Sequence, residues 1–431
     1  MSTPAVPAAG PLRQQAARAR RWPLAIWVVL VGTFIVRSAS FAYPFLAYHL
    51  TTAGLPQRWI GPIMAVFGTG WLIGQLTVGW LADRIGHRHA LVVAMATAAI
   101  VLPWLGMAHS VPALCAAAVL AGACYDAHRP ILSALIADVM PDQTRRAELA
   151  GWRHFAVNLG AALTGVIGGL LVDQVGTHPL FWANAVVCAL FGLAAWRFVG
   201  ADHPSPAATA TDGCIREPGA WRDGRLWLLC LASLAALTCA VGLFSSLPIL
   251  MAARGLSATA YGGTQAINAL VVIVLSPMLT PWLSRRATAS HPLLGALATG
   301  ALVLGVGMGA AGLATTTAGF AAAVATAVPG ELIVFIAAAD VLNRIAPAPA
   351  RGLYAGIWGA MLAGAVILAP LLTTYSLAHG GPHTVALTTL ATGVSGAVLC
   401  IPLHHLLRTT PRTRSSEPQP AHDSTDQRTP R

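Results

Sequence analysis

Long runs of residues without a charged side chain dominate this sequence. One of them extends from residue 292 to residue 330 and contains no Asp, Glu, Lys or Arg. Because a helix needs about 20 apolar residues to cross the roughly 30 Å hydrocarbon core of a bilayer, such a run can hold two membrane-spanning helices. Charged residues make up 10% of the 431 residues, and hydrophobic residues make up 56%. An ordinary soluble domain, in which about 25% of the residues are charged, is therefore excluded.

The apolar runs predict an all-α integral membrane protein with twelve transmembrane helices. The predicted spans are 23–48, 59–82, 90–108, 112–137, 153–173, 179–198, 226–251, 258–283, 292–313, 318–342, 353–377 and 383–405. Residues 22–198 are predicted to form an N-terminal six-helix bundle, and residues 226–407 a C-terminal six-helix bundle. The polar residues 199–225 between them are predicted to be a cytoplasmic linker. Residues 1–21 and 408–431 are predicted to be disordered cytoplasmic tails.

All 26 basic residues are arginines, and their distribution predicts the orientation in the membrane. Of these arginines, 22 fall in the tails and loops on one side, whereas only Arg58 and Arg254 fall on the other. Cytoplasmic loops carry the excess of positive charge. Both termini are therefore expected in the cytoplasm, with the chain in the plasma (cell inner) membrane. The arginines form no basic stripe, so we expect no nucleic-acid partner.

The two predicted halves also resemble each other in sequence. Matching landmarks recur at offsets of 201 to 205 residues, each at the same end of the corresponding helix, as expected of the internal repeats of transporters. The matched pairs are Pro44 and Pro248, Gly54 and Gly255, Asp138 and Asp340, and Arg146 and Arg351.

The turn after the second span carries a specific motif. It reads Gly79-Trp80-Leu81-Ala82-Asp83-Arg84-Ile85-Gly86-His87-Arg88. This turn resembles the G-x-L-a-D-R-x-G-r-r signature of the major facilitator superfamily, and the resemblance covers nearly the whole chain. It implies two pseudo-symmetric six-helix bundles and a latch between the halves, formed by Gly79, Asp83, Arg84, Gly86 and Arg88. The alternative is that the turn only determines topology.

Within that family, residues 122–171 resemble the drug:proton antiporter, or multidrug efflux, branch. The fifth span has a glycine-rich face, which is expected to pack closely against a neighbouring helix. The face consists of Gly160, Gly165, Gly168 and Gly169. Thr164-Gly165 stands where the branch commonly has Gly-Pro, so the proline kink linked to antiport is absent.

Five charged or titratable residues fall near the middle of predicted spans, where a charge costs several kcal/mol and so indicates function. They are Arg37, Asp126, His128, Arg129 and Glu331. The family fold places their three helices, the first, fourth and tenth, around a central cavity. These residues are therefore the candidate substrate or proton-coupling site.

Asp126 and Arg129 have i, i+3 spacing, which predicts a shared helix face and a mutual ion pair, shared with Arg37 across the cavity. Either this pair only locks two helices together, or Asp126 releases and regains a proton as its arginine neighbours approach or leave. His128 is either a hydrogen-bonding neighbour of the pair or a proton relay.

Glu331 has no opposite charge within one turn of its own helix, so we expect it to be protonated unless the cavity is wet or a cationic substrate pairs with it. The repeat offset predicts that Glu331 faces the position equivalent to Arg129. Alternatively, Glu331 hydrogen-bonds backbone freed by Pro329 and Gly330.

Asp138 and Asp340 end the fourth and tenth spans. Together with Arg146 and Arg351 they are predicted to form matched gate pairs at the cytoplasmic side, unless they are only solvated loop charges.

The sequence thus predicts a secondary transporter that moves a small molecule through the lipid bilayer by alternating access. Proton-coupled export of an amphipathic or drug-like compound is the first hypothesis. Import or facilitated movement of a sugar, organic acid or amino acid is the second, and a membrane sensor or enzyme without transport is the third. No HExxH or GxSxG motif is present, which argues against an enzyme. We expect a monomer without cofactor or metal that uses protons and their gradient as its energy source.

Overall fold

The computed structural model describes residues 24–129, 131–132, 143–199, 219–287, 292–347 and 350–409. Regular structure in these ranges is helical. The helices of the first half are α1 (Leu24–Ser38), α2 (Leu46–Thr52), α3 (Gln57–Ile85), α4 (His87–Met107), α5 (Val111–Cys124), α6 (Gln143–Val175) and α7 (His178–Phe198). Those of the second half are α8 (Gly219–Arg222), α9 (Gly224–Val241), α10 (Ser246–Ala253), α11 (Ala258–Ala287), α12 (Leu294–Leu313), α13 (Thr317–Ile345) and α14 (Arg351–Thr409).

Each predicted span overlaps one or more of these helices. In the described ranges, nine stretches are long and apolar enough to cross a membrane, and the shorter apolar helices Ile26–Ser38 and Val111–Cys124 lie in predicted spans one and four. α14 contains both of the last two predicted spans, and its backbone leaves the helical conformation at Gly381, where φ is 68°. The class of fold is therefore confirmed, while the count of twelve separate spans stays a prediction.

Three predicted spans are broken rather than continuous. The first is interrupted at residues 39–45, the fourth at residues 125–127 and the seventh at residues 242–245. Pro44 has no backbone N–H with which to continue the first helix. Irregular backbone is tolerated at membrane depth where protein or a cavity surrounds it, so each break marks a candidate site.

The end of the predicted linker contains α8 and the first two residues of α9, with Asp223 between the two helices. Asp223 caps α9 because its carboxylate accepts a hydrogen bond from the Arg225 backbone N–H at 2.9 Å. It also accepts hydrogen bonds from the Arg225 side chain and, at 2.9 Å, from the Tyr354 hydroxyl of α14. Partial burial alone would raise the pKa of Asp223, but these hydrogen bonds outweigh it and lower that pKa below its ordinary value. The polar end of the linker is thereby tied to the second half.

Buried hydrophobic side chains form two clusters, one drawn mainly from residues 26–199 and the other mainly from residues 220–403. Short connections make successive helices antiparallel, so loops alternate between two ends of the molecule. We call the end at which α6 finishes and α11 begins the Asp173 end. The opposite end, which carries Arg84, Arg286 and Arg344, is called the arginine-rich end.

Candidate functional site

A buried ion pair lies at the break in the fourth span. Asp126 Oδ2 lies 2.9 Å from Arg129 Nη2, and Asp126 Oδ1 lies 3.9 Å from Arg37 Nη1. The Asp126 side chain is only 6% exposed. Arg37 also donates a hydrogen bond of 3.0 Å to the Tyr125 hydroxyl. The predicted pairing of Asp126 with both arginines is confirmed, and these four residues are called the Asp126 cluster.

The backbone at Asp126 differs from the prediction of a shared helix face. α5 ends at Cys124, and Asp126 adopts a left-handed conformation with φ of 54°, which Asp tolerates better than most residues. Pro130 has no N–H to bond the Asp126 carbonyl four residues earlier. That carbonyl instead accepts hydrogen bonds from the Arg129 N–H at 2.9 Å and the Gln75 side chain at 3.3 Å. A turn therefore presents the carboxylate to both arginines.

His128 is buried next to this cluster, with 4% of its surface exposed. Its Nδ1 atom has no hydrogen-bond partner in the described part of the chain. The imidazole ring instead makes an edge contact with Phe191, with 6.3 Å between the ring centres. Nδ1 of His128 therefore takes no part in a described hydrogen bond, and both roles considered for His128, hydrogen-bonding neighbour and proton relay, stay predictions.

A small cavity of about 10 Å³ borders the Asp126 cluster. The breaks in the first, fourth and seventh spans all contribute to its wall, together with α6 and α11. Its lining residues include Arg37, Tyr125, Thr164, Phe244, Tyr261 and Gln265. This volume is about the room of one water molecule, so in this conformation the cavity is closed around a space far smaller than a drug-sized substrate.

Two cavity residues that the sequence did not single out hold the breaks in place. The Thr164 hydroxyl donates a hydrogen bond to the Arg37 carbonyl, and Gln265 Nε2 donates one of 2.9 Å to the Leu243 carbonyl. Both carbonyls lie next to interrupted helix segments, so a polar side chain replaces the missing backbone donor. A polar residue inside an otherwise apolar span was the available signal.

Glu331 forms no described contact with the Asp126 cluster. It sits in α13, half-buried, and no hydrogen bond or ion pair joins it to another described side chain. α13 contributes no lining residue to the small cavity beside the cluster, and that Glu331 faces the position equivalent to Arg129 stays a prediction. Its neighbour Gly330 packs against α12, where an added Cβ would lie 2.7 Å from the Gly300 carbonyl oxygen. This close packing of small residues holds α13 against α12.

The glycine face of α6 packs closely against two different neighbours, as predicted. An added Cβ at Gly160 would lie 2.9 Å from Arg37 Cβ, and one at Gly168 would lie 2.7 Å from Phe45 Cζ. Gly165 and Gly169 face α11 instead. An added Cβ at Gly165 would lie 2.9 Å from Gln265 Cγ, and one at Gly169 would lie 3.1 Å from the Gly262 Cα atom. The first half therefore contacts the second along a seam of glycines.

The seam ends in a carboxylate cap at the Asp173 end. Asp173 Oδ1 accepts a hydrogen bond of 3.1 Å from the Ala258 N–H, and Oδ2 accepts one of 2.9 Å from the Thr259 N–H. These are orphan donors in the first turn of α11, where a negative charge is favoured. The Tyr48 hydroxyl adds a hydrogen bond of 3.2 Å to the Ser257 carbonyl. Together these contacts close the Asp173 end between the halves.

The two motif glycines at the arginine-rich end differ in their surroundings. Gly86 has φ of 85°, the left-handed conformation that a tight reversal between α3 and α4 requires. Among the described residues, an added Cβ at Gly79 would meet no atom within 4 Å, so no close contact forms there in this conformation, and the part of Gly79 in a latch stays a prediction. Space also surrounds Gly356 and Gly359 in the first turns of α14.

The charges at this end pair differently from the prediction. Asp340 forms an ion pair of 2.9 Å with Arg344, one turn later on α13, and accepts a hydrogen bond from the Leu293 N–H. The expected pair with Arg351 is therefore wrong, because a partner at i, i+4 is within reach without crossing a loop. Arg84 and Arg88 stack on tryptophan rings. Asp138 lies outside the described residues, as do the side chains of Asp83 and Arg146.

The described side chains include no group of three His, Cys, Asp or Glu residues placed to hold a metal ion. What they offer is a buried ion cluster, an internal cavity and two groups of apolar helices that meet along one seam. Long apolar helices that enclose a buried ion pair beside a cavity are the architecture of an integral membrane transporter.

The chain belongs to the Major Facilitator Superfamily, whose family model matches residues 24–348. It is 30% identical over 184 residues to the tetracenomycin C resistance and export protein of Streptomyces glaucescens, an alignment that covers 41% of this chain and 32% of that protein. It is also 30% identical over 176 residues to the multidrug resistance protein MdtG of Serratia proteamaculans, covering 38% of this chain and 41% of that protein. Both alignments therefore span less than half of the relative.

The fold has close counterparts among solved structures. A POT family transporter, crystallised in complex with a thioalcohol-conjugated peptide, superposes with a TM-score of 0.74 at 16% identity. The match covers 89% of this chain and 96% of that one. At this identity the likeness shows the shared fold alone.

Proposed function

We propose that this transporter exports small amphipathic, drug-like molecules in exchange for protons. The observation that carries the proposal is the Asp126 cluster, a buried carboxylate shared by two arginines beside the cavity. A charge at such depth in a membrane is costly and is a functional site by default. The names of the two relatives, which refer to resistance and export, support efflux as the direction.

The cluster supplies a means of coupling. Arg129 is the accessible member, since 43% of its side chain is exposed, whereas Asp126 is enclosed. Because it is accessible, Arg129 can move away from Asp126, and a cationic group of the substrate then takes its place beside the ionised carboxylate. A proton that enters from the other side neutralises the carboxylate and releases the substrate. Proton and substrate therefore occupy the site in turn, as exchange requires. Glu331 is the second candidate for the proton, because it is a half-buried acid without a described partner.

The contacts between the halves support alternating access. In this conformation the halves meet along the glycine seam and through the Asp173 cap, while space surrounds Gly79 and Gly356 near the other end. The excess of arginine at that other end supports a cytoplasmic position for it and for both termini, in the plasma membrane.

Transport by purified protein in liposomes tests the proposal. A thermal-shift screen across amphipathic drugs, sugars, organic acids and amino acids first selects compounds that stabilise the protein. We expect an imposed pH gradient to drive accumulation of a stabilising amphipathic compound, and nigericin to abolish it. Stabilisation and transport of a polar metabolite alone would contradict the proposal and favour import or facilitation instead.

We expect Asp173→Ala to open the Asp173 end more often. The variant removes the carboxylate that accepts two hydrogen bonds from the first turn of α11. This change should destabilise the closed Asp173 end by about 1 kcal/mol. The labelling rate of Thr259→Cys by a membrane-impermeant maleimide, added from outside, should rise about fivefold.

Asp340→Ala is the matched control, because it removes an acid at the arginine-rich end. An unchanged labelling rate in Asp173→Ala would show that the cap does not hold the halves together.

A further inference from the structure

Two arginines at the arginine-rich end stack on tryptophan rings in the same way. The guanidinium carbon of Arg84 lies 4.1 Å from the centre of the Trp80 ring on α3, and that of Arg286 lies 4.1 Å from the Trp282 ring on α11. Each pair has i, i+4 spacing on its helix. Trp282 and Arg286 are both 202 residues after their counterparts, so the two pairs occupy equivalent positions in the internal repeat.

The stacked tryptophan–arginine pair occurs in both halves, whereas the rest of the motif does not. Asp83, the acidic residue of the first turn, corresponds to Arg285 in the second half. The stacked pair is thus maintained independently of the acid. A feature retained at both ends of a degenerate repeat indicates a requirement that both halves share.

Both pairs face outward from the helix bundle. Trp80 is 54% exposed and Trp282 is 42% exposed, and both arginines are exposed as well. An added Cβ at Gly79 meets no atom within 4 Å, so the surface beside the Trp80 ring is open. In a membrane protein, exposed tryptophans at the ends of apolar helices lie at the level of the lipid headgroups.

The stacked geometry leaves the arginines ready to bind an anion. A guanidinium group that lies over an aromatic ring keeps its N–H edge available for two parallel hydrogen bonds to phosphate oxygens. No described carboxylate lies within ion-pair distance of Arg84 or Arg286. The charge that complements these sites is therefore supplied by the surrounding bilayer, where anionic lipids attract arginine near the surface.

We propose that the Trp80–Arg84 and Trp282–Arg286 pairs are two equivalent binding sites for the phosphate headgroup of an anionic phospholipid. The indole ring lies at the interface beside the glycerol region, and the guanidinium group binds the phosphate. One lipid on each half would anchor the arginine-rich ends of α3 and α11 at the membrane surface.

Native mass spectrometry of the detergent-purified protein with phosphatidylglycerol tests this. We expect two strongly bound lipids on the wild-type chain, one on Arg84→Gln, one on Arg286→Gln and none on the double variant. At each altered site the affinity should fall about fivefold or more. Phosphatidylcholine, which is zwitterionic, should bind equally weakly to all four proteins.

Two further variants separate the stacked pair from charge alone. Arg58→Gln removes an exposed arginine next to Trp59 at the Asp173 end, and should keep both bound lipids. Arg84→Lys keeps the charge but not the planar stack, and should bind more weakly than wild type. The proposal is overturned if the double variant, with an unchanged melting temperature, retains both phosphatidylglycerol molecules, or if Arg58→Gln loses one.

Discussion

Glu331→Gln is expected to abolish transport driven by a pH gradient. The variant keeps the size of the side chain but cannot exchange a proton, and Glu331 is a half-buried acid in α13 without a described partner. An unpaired charge is costly inside the membrane, so a cycle that uses this acid must protonate and deprotonate it. In liposomes with an imposed pH gradient, we expect the initial rate to fall at least about tenfold.

Exchange measurements show whether the loss concerns the proton or the substrate. Substrate exchange without a pH gradient should persist in Glu331→Gln, because the cavity wall is unaltered. Glu331→Asp, which keeps a carboxylate, is the matched control and should retain part of the driven transport. Full driven transport by Glu331→Gln would remove this acid from the mechanism and leave Asp126 as the proton site.

Asp126→Asn is expected to have a broader effect. The variant leaves the Arg37 guanidinium enclosed without its counter-ion, and breaking such a buried pair costs about 3 kcal/mol. We expect both driven transport and exchange to fall to background, together with a lower melting temperature in detergent.

Arg129→Gln provides the comparison for this second prediction. It removes the more exposed partner and leaves Asp126 with Arg37, so its melting temperature should fall less than that of Asp126→Asn. The single variant Arg37→Gln and the double variant Arg37→Gln with Asp126→Asn complete a cycle that measures the coupling between these two charges. Wild-type transport by Asp126→Asn would show that the cluster only joins helix segments.

The class of fold follows from the sequence because a charge-free run has few alternatives in a bilayer. The uncharged residues 292–330 and the repeat landmarks Gly54 and Gly255 were sufficient to predict paired bundles of apolar helices. Gly54 and Gly255 both adopt left-handed conformations, with φ of 76° and 70°. Local conformation at such positions is fixed by residue type, so a pattern can reveal it.

The site was predictable in its residues but not in its geometry. Asp126 and Arg129 were identified because charges in apolar runs are rare. The break at residues 125–127 was not predicted, because it depends on the hydrogen bond that Gln75 donates to the Asp126 carbonyl, 51 residues later in the sequence. The contact of Gly330 with Gly300 likewise depends on how two helices pack, which helical periodicity does not encode. Asp173 was visible only as one acid at the end of a span, since its partners lie on another helix.

The glycine seam between α6 and α11 also limits how this chain can change over time. Any side chain larger than hydrogen at Gly169 or Gly262 would wedge apart the two halves in the conformation described here, yet would be harmless in a conformation where they separate. A single added methyl group therefore changes the relative free energies of the two states of the transport cycle. It leaves the cavity residues unchanged. Selection for faster turnover and selection for new substrates can thus act on different positions of the same protein.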